Sequence, residues 1–155
     1  FRNVVSIMTN LMLQNRNPII YGDGKQKRSF SDIDDCIYCL DKLMFDKKIN
    51  KQIVNIGHDE NFITINELYE ILSNKLQFNK NAKYYKDRPN EVKYANCSSD
   101  KARELLDYKT TVSLNKSMDK MIKFIKSSGT REFEYNYPIE IDNNVTPDTW
   151  SKKLF

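Results

Sequence analysis

Glycine is scarce in this 155-residue chain. The four residues, at positions 22, 24, 57 and 129, are too few and too scattered to make a G-x-G-x-x-G turn or a P-loop. The chain therefore carries no dinucleotide fingerprint of its own. Cysteine is limited to Cys36, Cys39 and Cys97, an odd number without secretory context, and the C-x-x-C of the first two lacks a second pair of ligands. Neither a disulfide framework nor a metal site is expected from it. No apolar run approaches the roughly 20 residues needed to span a bilayer, and no signal-like segment opens the sequence. These absences predict a cytoplasmic protein with no membrane partner. The first residue is Phe1 rather than Met, so a piece of a longer polypeptide is expected.

What is present is enough for a packed domain. Hydrophobic residues make up 39% and charged residues 30%, with eight Phe and nine Tyr, which excludes a disordered tail. The net charge of +4 is modest beside the basic stripes of a dedicated nucleic-acid binder. It is also uneven. Residues 128–155 hold Arg131, Lys152 and Lys153 against Glu132, Glu134, Glu140, Asp142 and Asp148, a net of −2, which leaves +6 on residues 1–127. A mild positive excess suits a small anionic ligand as well as a phosphate backbone.

Val4, Ile7, Met8, Leu11 and Met12 recur at helical spacing, and the helix they predict stops between Asn15 and Pro18. Pro18–Tyr21 reads as a strand entering the turn Gly22-Asp23-Gly24, and Arg28–Ile33 alternates as a second extended piece. Asp34 or Asp35 then caps a helix through Cys36, Ile37, Leu40, Leu43 and Met44. Gln52–Ile56, closed by Gly57, reads as a buried strand. Thr64 with Glu67 three residues on forms a capping box ahead of Leu68, Ile71 and Leu72. Lys83–Tyr85 and Val92–Ala95 read as extended, Ser98 or Ser99 opens a short helix, and Leu114–Ile125 carries a further helical stripe. Beyond Ser127-Ser128-Gly129 the texture turns aromatic and acidic with little periodicity. Two parts are expected: residues 1–127, and an extended C-terminal tail over 128–155 that wraps or docks.

Few residues announce chemistry. Tyr21-x-x-x-Lys25 and Tyr38-x-x-x-Lys42 have the spacing of a reductase Tyr-Lys pair, but the first lies in a glycine turn and the second on an ordinary amphipathic helix. His58, the single histidine, reads as a loop-surface residue, because no metal partners stand at recognisable spacing. Arg28 and Arg88 are different. Each belongs to a short strand or loop, and a guanidinium's planar fork matches two phosphate oxygens while staying charged.

Ile19-Ile-Tyr-Gly-Asp-Gly-Lys-Gln-Lys-Arg-Ser-Phe-Ser-Asp-Ile-Asp-Asp35 resembles the I-Y-G-D-G-x-Q-x-R-x-F-x-x-V-x-D segment of NAD-dependent nucleotide-sugar epimerases and dehydratases, the extended short-chain dehydrogenase/reductase family. Val54-Asn-Ile-Gly57 with Ile63-Thr-Ile-Asn-Glu-Leu68, Arg88-Pro-Asn-Glu-Val92, and Ser99-Asp-Lys-Ala-Arg-Glu-Leu-Leu106 resemble three further family segments, in family order. The resemblance implies an α/β chain: a small substrate-binding domain plus the last elements of a Rossmann-type doubly wound fold, with an irregular tail. It implies the C-terminal, substrate-binding half of such an enzyme, with NAD and the catalytic Tyr-Lys held by an N-terminal Rossmann half, so that this chain alone is inactive and contributes no catalytic or cofactor-binding residue.

On that resemblance Arg28 and Arg88 clamp the diphosphate of a UDP- or dTDP-sugar and Tyr21 lines the nucleoside end. The substrate class is that of UDP-glucose 4-epimerase, a 4,6-dehydratase or UDP-glucuronate decarboxylase. The resemblance also allows a homodimer of the full-length enzyme, and it implies that the helix after Asp35 and the strand ending at Gly57 pack onto the cofactor half with apolar surface. Two departures stand out. Asn90-Glu91 replaces the usual Gly-Asp after Arg-Pro, and Ser29 stands where Asp is common. Two other classes stay open: a free-standing nucleotide-sugar-binding module or split subunit, and a basic α/β domain for nucleic acid.

Overall fold

The computed structural model describes residues 3–60, 62–136, 138–139 and 142–155. The chain runs α1 (Val4–Leu13), β1 (Ile19–Tyr21), β2 (Lys27–Ser29), α2 (Ile33–Phe45), a 3-10 turn (Lys47–Ile49), β3 (Phe62–Thr64), α3 (Ile65–Leu76), β4 (Lys83–Tyr85), β5 (Tyr94–Ala95), α4 (Asp100–Leu106), α5 (Leu114–Ser128) and α6 (Asp148–Ser151). It is a mixed α/β fold with two small sheets.

Three helices build the main core. Met8 and Met12 of α1, Leu68 and Leu72 of α3, and Met118 and Ile122 of α5 bury one apolar stripe each against the other two. Asn3 caps α1 by accepting from the Val5 N–H at 2.9 Å. Its far end closes as a Schellman turn: Asn15 takes a left-handed φ of 58°, Asn15 N–H donates to the Met12 carbonyl, and Arg16 N–H donates to the Leu11 carbonyl. The expected capping box of α3 forms in both directions, Glu67 N–H to Thr64 Oγ1 at 3.0 Å and Thr64 N–H to Glu67 Oε2 at 2.6 Å.

β1 pairs in parallel with β4, Ile20 opposite Tyr84. β2 is the centre of a three-stranded sheet, antiparallel to β3 with Arg28 opposite Ile63, and parallel to β5 with Arg28 opposite Ala95. Strand β2 is thereby fixed on both edges. A smaller core of Cys39, Ile49, Ala102, Leu106 and Tyr108 joins α2 to α4.

Three sequence expectations are corrected. The N-cap of α2 is Asp32, not Asp34 or Asp35. Asp32 accepts from the Asp34 N–H, and Ser117 and Lys120 of α5 reach it from the other side at 2.7 and 2.6 Å. Residues 52–56 form no strand, because no neighbouring segment offers a ladder, and Ile53 is 87% exposed. The tail carries a short helix, α6, that an aperiodic stretch did not announce; Tyr137 of that tail lies outside the described residues.

Among the described residues, none covers one face of α2. Ile37 and Leu40 are more than half exposed, and Met44 and Phe45 reach about three-quarters. Among the described residues, no helix is long and apolar enough to cross a membrane.

Candidate functional site

A cavity of about 370 Å³ opens between the start of α1, strands β1 and β2, and the loop at 88–91. Arg28 reaches it from the centre of the three-stranded sheet. One of its nitrogens donates to the Lys27 carbonyl at 2.8 Å, and the other forms an ion pair and hydrogen bond with Glu91. Arg88 arrives from a loop and places its Nε 3.6 Å from the second Glu91 oxygen. The two guanidiniums therefore meet on one carboxylate at the cavity wall. Glu91 neutralises one of the two positive charges, and an excess of one remains.

The turn that presents Glu91 depends on Asn90. Its φ of 58° is the left-handed conformation usually left to glycine, and Asn is among the side chains that tolerate it. Glu91 N–H closes the turn on the Arg88 carbonyl at 3.2 Å. Asn90 thus takes a backbone conformation that glycine adopts readily, and the turn closes. Ser29 donates to Asn96 Oδ1 at 2.8 Å, a tie to the segment after β5.

Tyr21 stands beside the pair. The Arg88 guanidinium lies 5.5 Å from its ring centroid, a cation–π distance. Its hydroxyl is held by the tail: it donates to Thr149 Oγ1 at 2.8 Å and accepts from the Thr149 N–H at 2.9 Å. Gly24 binds the neighbouring turn to α3. It has φ 71°, its carbonyl accepts from the Asn66 N–H at 3.1 Å, and a Cβ there would meet Asn66 Oδ1 at 2.0 Å. The structure therefore brings Tyr21, Arg28 and Arg88 into one place.

Other residues singled out by sequence lie elsewhere. His58 is buried, correcting the expectation of a loop-surface residue. Its N–H donates to Ser31 Oγ at 2.7 Å and its Nδ1 accepts from the Glu60 N–H at 3.3 Å. Its loop is pinned from the α4 side, where Ser99 Oγ donates to the Gly57 carbonyl at 2.6 Å and Arg103 grips Asp59 through both terminal nitrogens. The Arg103 hydrogen bonds, with one from the Ser99 N–H, hold the Asp59 carboxyl at about 2. Lys42 lies over the Tyr38 ring at 5.1 Å and pairs with Asp107 on the surface of α2. Cys39 is a core residue whose thiol burial pushes up in pKa. Among the described residues, no group of three or more His, Cys, Asp or Glu side chains is placed to hold a metal ion.

Residues 1–121 match the model of the GDP-mannose 4,6 dehydratase family. The chain belongs to that family. It is 32% identical over 125 residues to a Methanocaldococcus jannaschii protein bearing the name UDP-glucose 4-epimerase, an alignment covering 81% of this chain and 39% of that one. The solved UDP-glucuronic acid 4-epimerase from Bacillus cereus, in complex with UDP-glucuronic acid and NAD, superposes with a TM-score of 0.77 at 29% identity, over 83% of this chain and 41% of that chain. UDP-glucose 4-epimerase from Thermotoga maritima, solved with UDP-glucose, gives a TM-score of 0.76 at 25% identity, over 81% and 40%. The chain thus spans about two-fifths of these relatives. The expected kinship with nucleotide-sugar epimerases and dehydratases of the extended short-chain dehydrogenase/reductase type holds, and the α/β architecture is that of part of these Rossmann-type enzymes.

Sequence reasoning missed two participants. Glu91 stands three residues after Arg88, a spacing that places a carboxylate beside a guanidinium within one turn, and this signal was readable. Thr149 carried none, since nothing periodic links it to Tyr21 across the chain.

Proposed function

We propose that this chain is the nucleotide-sugar-binding portion of an NAD-dependent epimerase or dehydratase, with Arg28 and Arg88 engaging the diphosphate of a UDP- or dTDP-sugar. The observation that carries the proposal is the convergence of two guanidiniums, from a central strand and a distant loop, on one anionic group beside a cavity. A nucleotide-sugar diphosphate carries two negative charges against one on the carboxylate, with more acceptor oxygens, and paired arginines both offset that charge and fix its orientation. Binding energy gathered at this remote group orients the sugar for chemistry done elsewhere.

The residues present do not fit NAD: the four glycines make no G-x-G-x-x-G turn, and Lys42, which lies over Tyr38, is paired with Asp107 on the surface of α2, so we assign those functions to the part of the enzyme this chain does not span. The unpartnered face of α2, with exposed Ile37, Leu40, Met44 and Phe45, supports a cofactor-binding half packing there. This reading makes the chain inactive by itself and places it in the cytoplasm. The substrate class extends to the UDP-glucose and UDP-glucuronic acid named for the relatives.

Calorimetric titration with UDP, UDP-glucuronic acid and a single-stranded oligonucleotide tests the reading. UDP and its sugars should bind and the oligonucleotide should not. Arg28→Ala and Arg88→Ala should each weaken UDP by about 1.5–3 kcal/mol, the worth of a hydrogen bond to a charged group. Tight oligonucleotide binding with no heat from UDP refutes it in favour of the nucleic-acid class.

A further inference from the structure

The tail, outside the residues that match the family, packs on α1, folds on itself and reaches the candidate site through Thr149. The Asn10 side chain of α1 pairs with the Arg131 backbone in both directions, at 2.8 and 3.0 Å. Phe133 then meets Trp150 edge-on at 5.7 Å and Phe155 at 5.7 Å, and Tyr135 ties the Thr149 carbonyl to the Phe155 N–H. Finally Thr149, 3% exposed, locks the Tyr21 hydroxyl.

These contacts enclose a cavity of about 320 Å³, with Met8 and Ile19 behind and Tyr21, Arg88, Trp150 and Phe155 around it. Three cavities meet at Arg88, and their chemistry differs. The one beside Arg28 contains Glu91, and the one toward Lys93 contains Asp23, Asp87 and Glu91. Among the described residues, no Asp or Glu side chain lines the tail-walled cavity; its surface is mainly aliphatic and aromatic, with the Thr149 hydroxyl and one guanidinium. A hydroxyl-rich ring suits the first two. A flat heterocycle suits the third, since a base presents a π-face that stacks on aromatic side chains and Arg.

We propose that the C-terminal segment completes the nucleoside end of the ligand site, Trp150 forming the aromatic wall against which the base rests and Thr149 acting as a positioning residue through Tyr21. The inference rests on the nucleotide-sugar reading above and assigns the base to the tail side of Arg88.

Trp150 is the chain's single tryptophan, so its emission reports this wall alone. Titrating the chain with UDP should change Trp150 emission saturably, in step with the calorimetric isotherm, whereas inorganic pyrophosphate should bind without changing it. Trp150→Ala should weaken UDP roughly 5- to 150-fold, the span of a lost base–aromatic stack, and alter pyrophosphate affinity less than about twofold. Thr149→Val should weaken UDP but not pyrophosphate, and Thr149→Ser should restore it, which a general loss of folding would not do.

UDP binding that leaves the emission of the wild-type chain unchanged overturns the inference alone, even if Trp150→Ala fails to fold. Unaltered UDP affinity in a folded Trp150→Ala does the same. Absence of UDP heat from the wild-type chain overturns the nucleotide-sugar reading and this inference with it.

Discussion

Replacing Glu91 by Gln should tighten the binding of inorganic pyrophosphate, an effect opposite in sign to that of removing either arginine. Arg28 and Glu91 keep only 23% and 24% of their side-chain surface exposed, and Arg88 keeps 44%. An incoming diphosphate must displace Glu91 from both guanidiniums before it can use them. Exposed ion pairs contribute about 0.2–1 kcal/mol, whereas breaking a buried one costs about 3–5 kcal/mol. A half-buried pair shared with a more exposed arginine falls between these limits, and we take about 1–2 kcal/mol, or roughly 5- to 30-fold in affinity. The glutamine amide keeps the size of the side chain and removes its charge. Calorimetry with inorganic pyrophosphate at low ionic strength isolates the effect, because that ligand has neither ribose nor base. Unchanged or weaker binding by a folded Glu91→Gln variant would show that Glu91 is not a competitor for the arginines, and that their convergence serves the loop rather than a ligand.

Other perturbations address the scaffold. Leu68→Ala, at a fully buried site between α1 and α5, should cost about 2–5 kcal/mol and show as a lowered urea midpoint. Gly24→Ala should cost about 2–3 kcal/mol, from left-handed strain of about 1–2 kcal/mol and from Asn66 bonds to the Asp23 carbonyl and the Tyr84 hydroxyl being pushed aside. Acid should weaken the fold through Asp59. Its folded carboxyl sits at about 2 against an ordinary 3.8, so its contribution is complete above about pH 4 and is lost as pH falls toward 2. Asp32 acts in the same direction: burial alone would raise it, but hydrogen bonds from Lys120, Ser117 and the Asp34 N–H outweigh that and lower it. Melting temperatures of wild-type, Asp59→Asn and Asp32→Asn between pH 5 and 2 should converge as the carboxylates protonate. Parallel curves would refute the assignment.

Much of this molecule was legible because its signals are local. The stripe from Val4 to Met12 and the Thr64–Glu67 box specify α1 and the start of α3 within a few residues, and the structure shows both. The cap of α2 was misplaced because three aspartates compete at positions 32, 34 and 35, and the choice is made by Ser117 and Lys120 from another helix. Residues 52–56 have the composition of a strand, but composition supplies no hydrogen-bonding neighbour. His58 is buried in a loop held by Ser31 and, through Gly57 and Asp59, by Ser99 and Arg103, all distant in sequence. At the site, Arg28 and Arg88 were singled out by their chemistry and their surroundings in the chain, and Tyr21 by the family resemblance alone. That they share one wall is a tertiary fact.

Arg28 rides on a three-residue strand whose neighbours come from residues 62–64 and 94–95. Pairings between such separated segments form only after the chain has closed large loops, whereas helices such as α1 and α3 assemble from adjacent residues. The corner that holds Arg28 is therefore expected to be among the last regions to mature during folding. A partly folded chain can have most of its helical content before Arg28 and Arg88 are brought together.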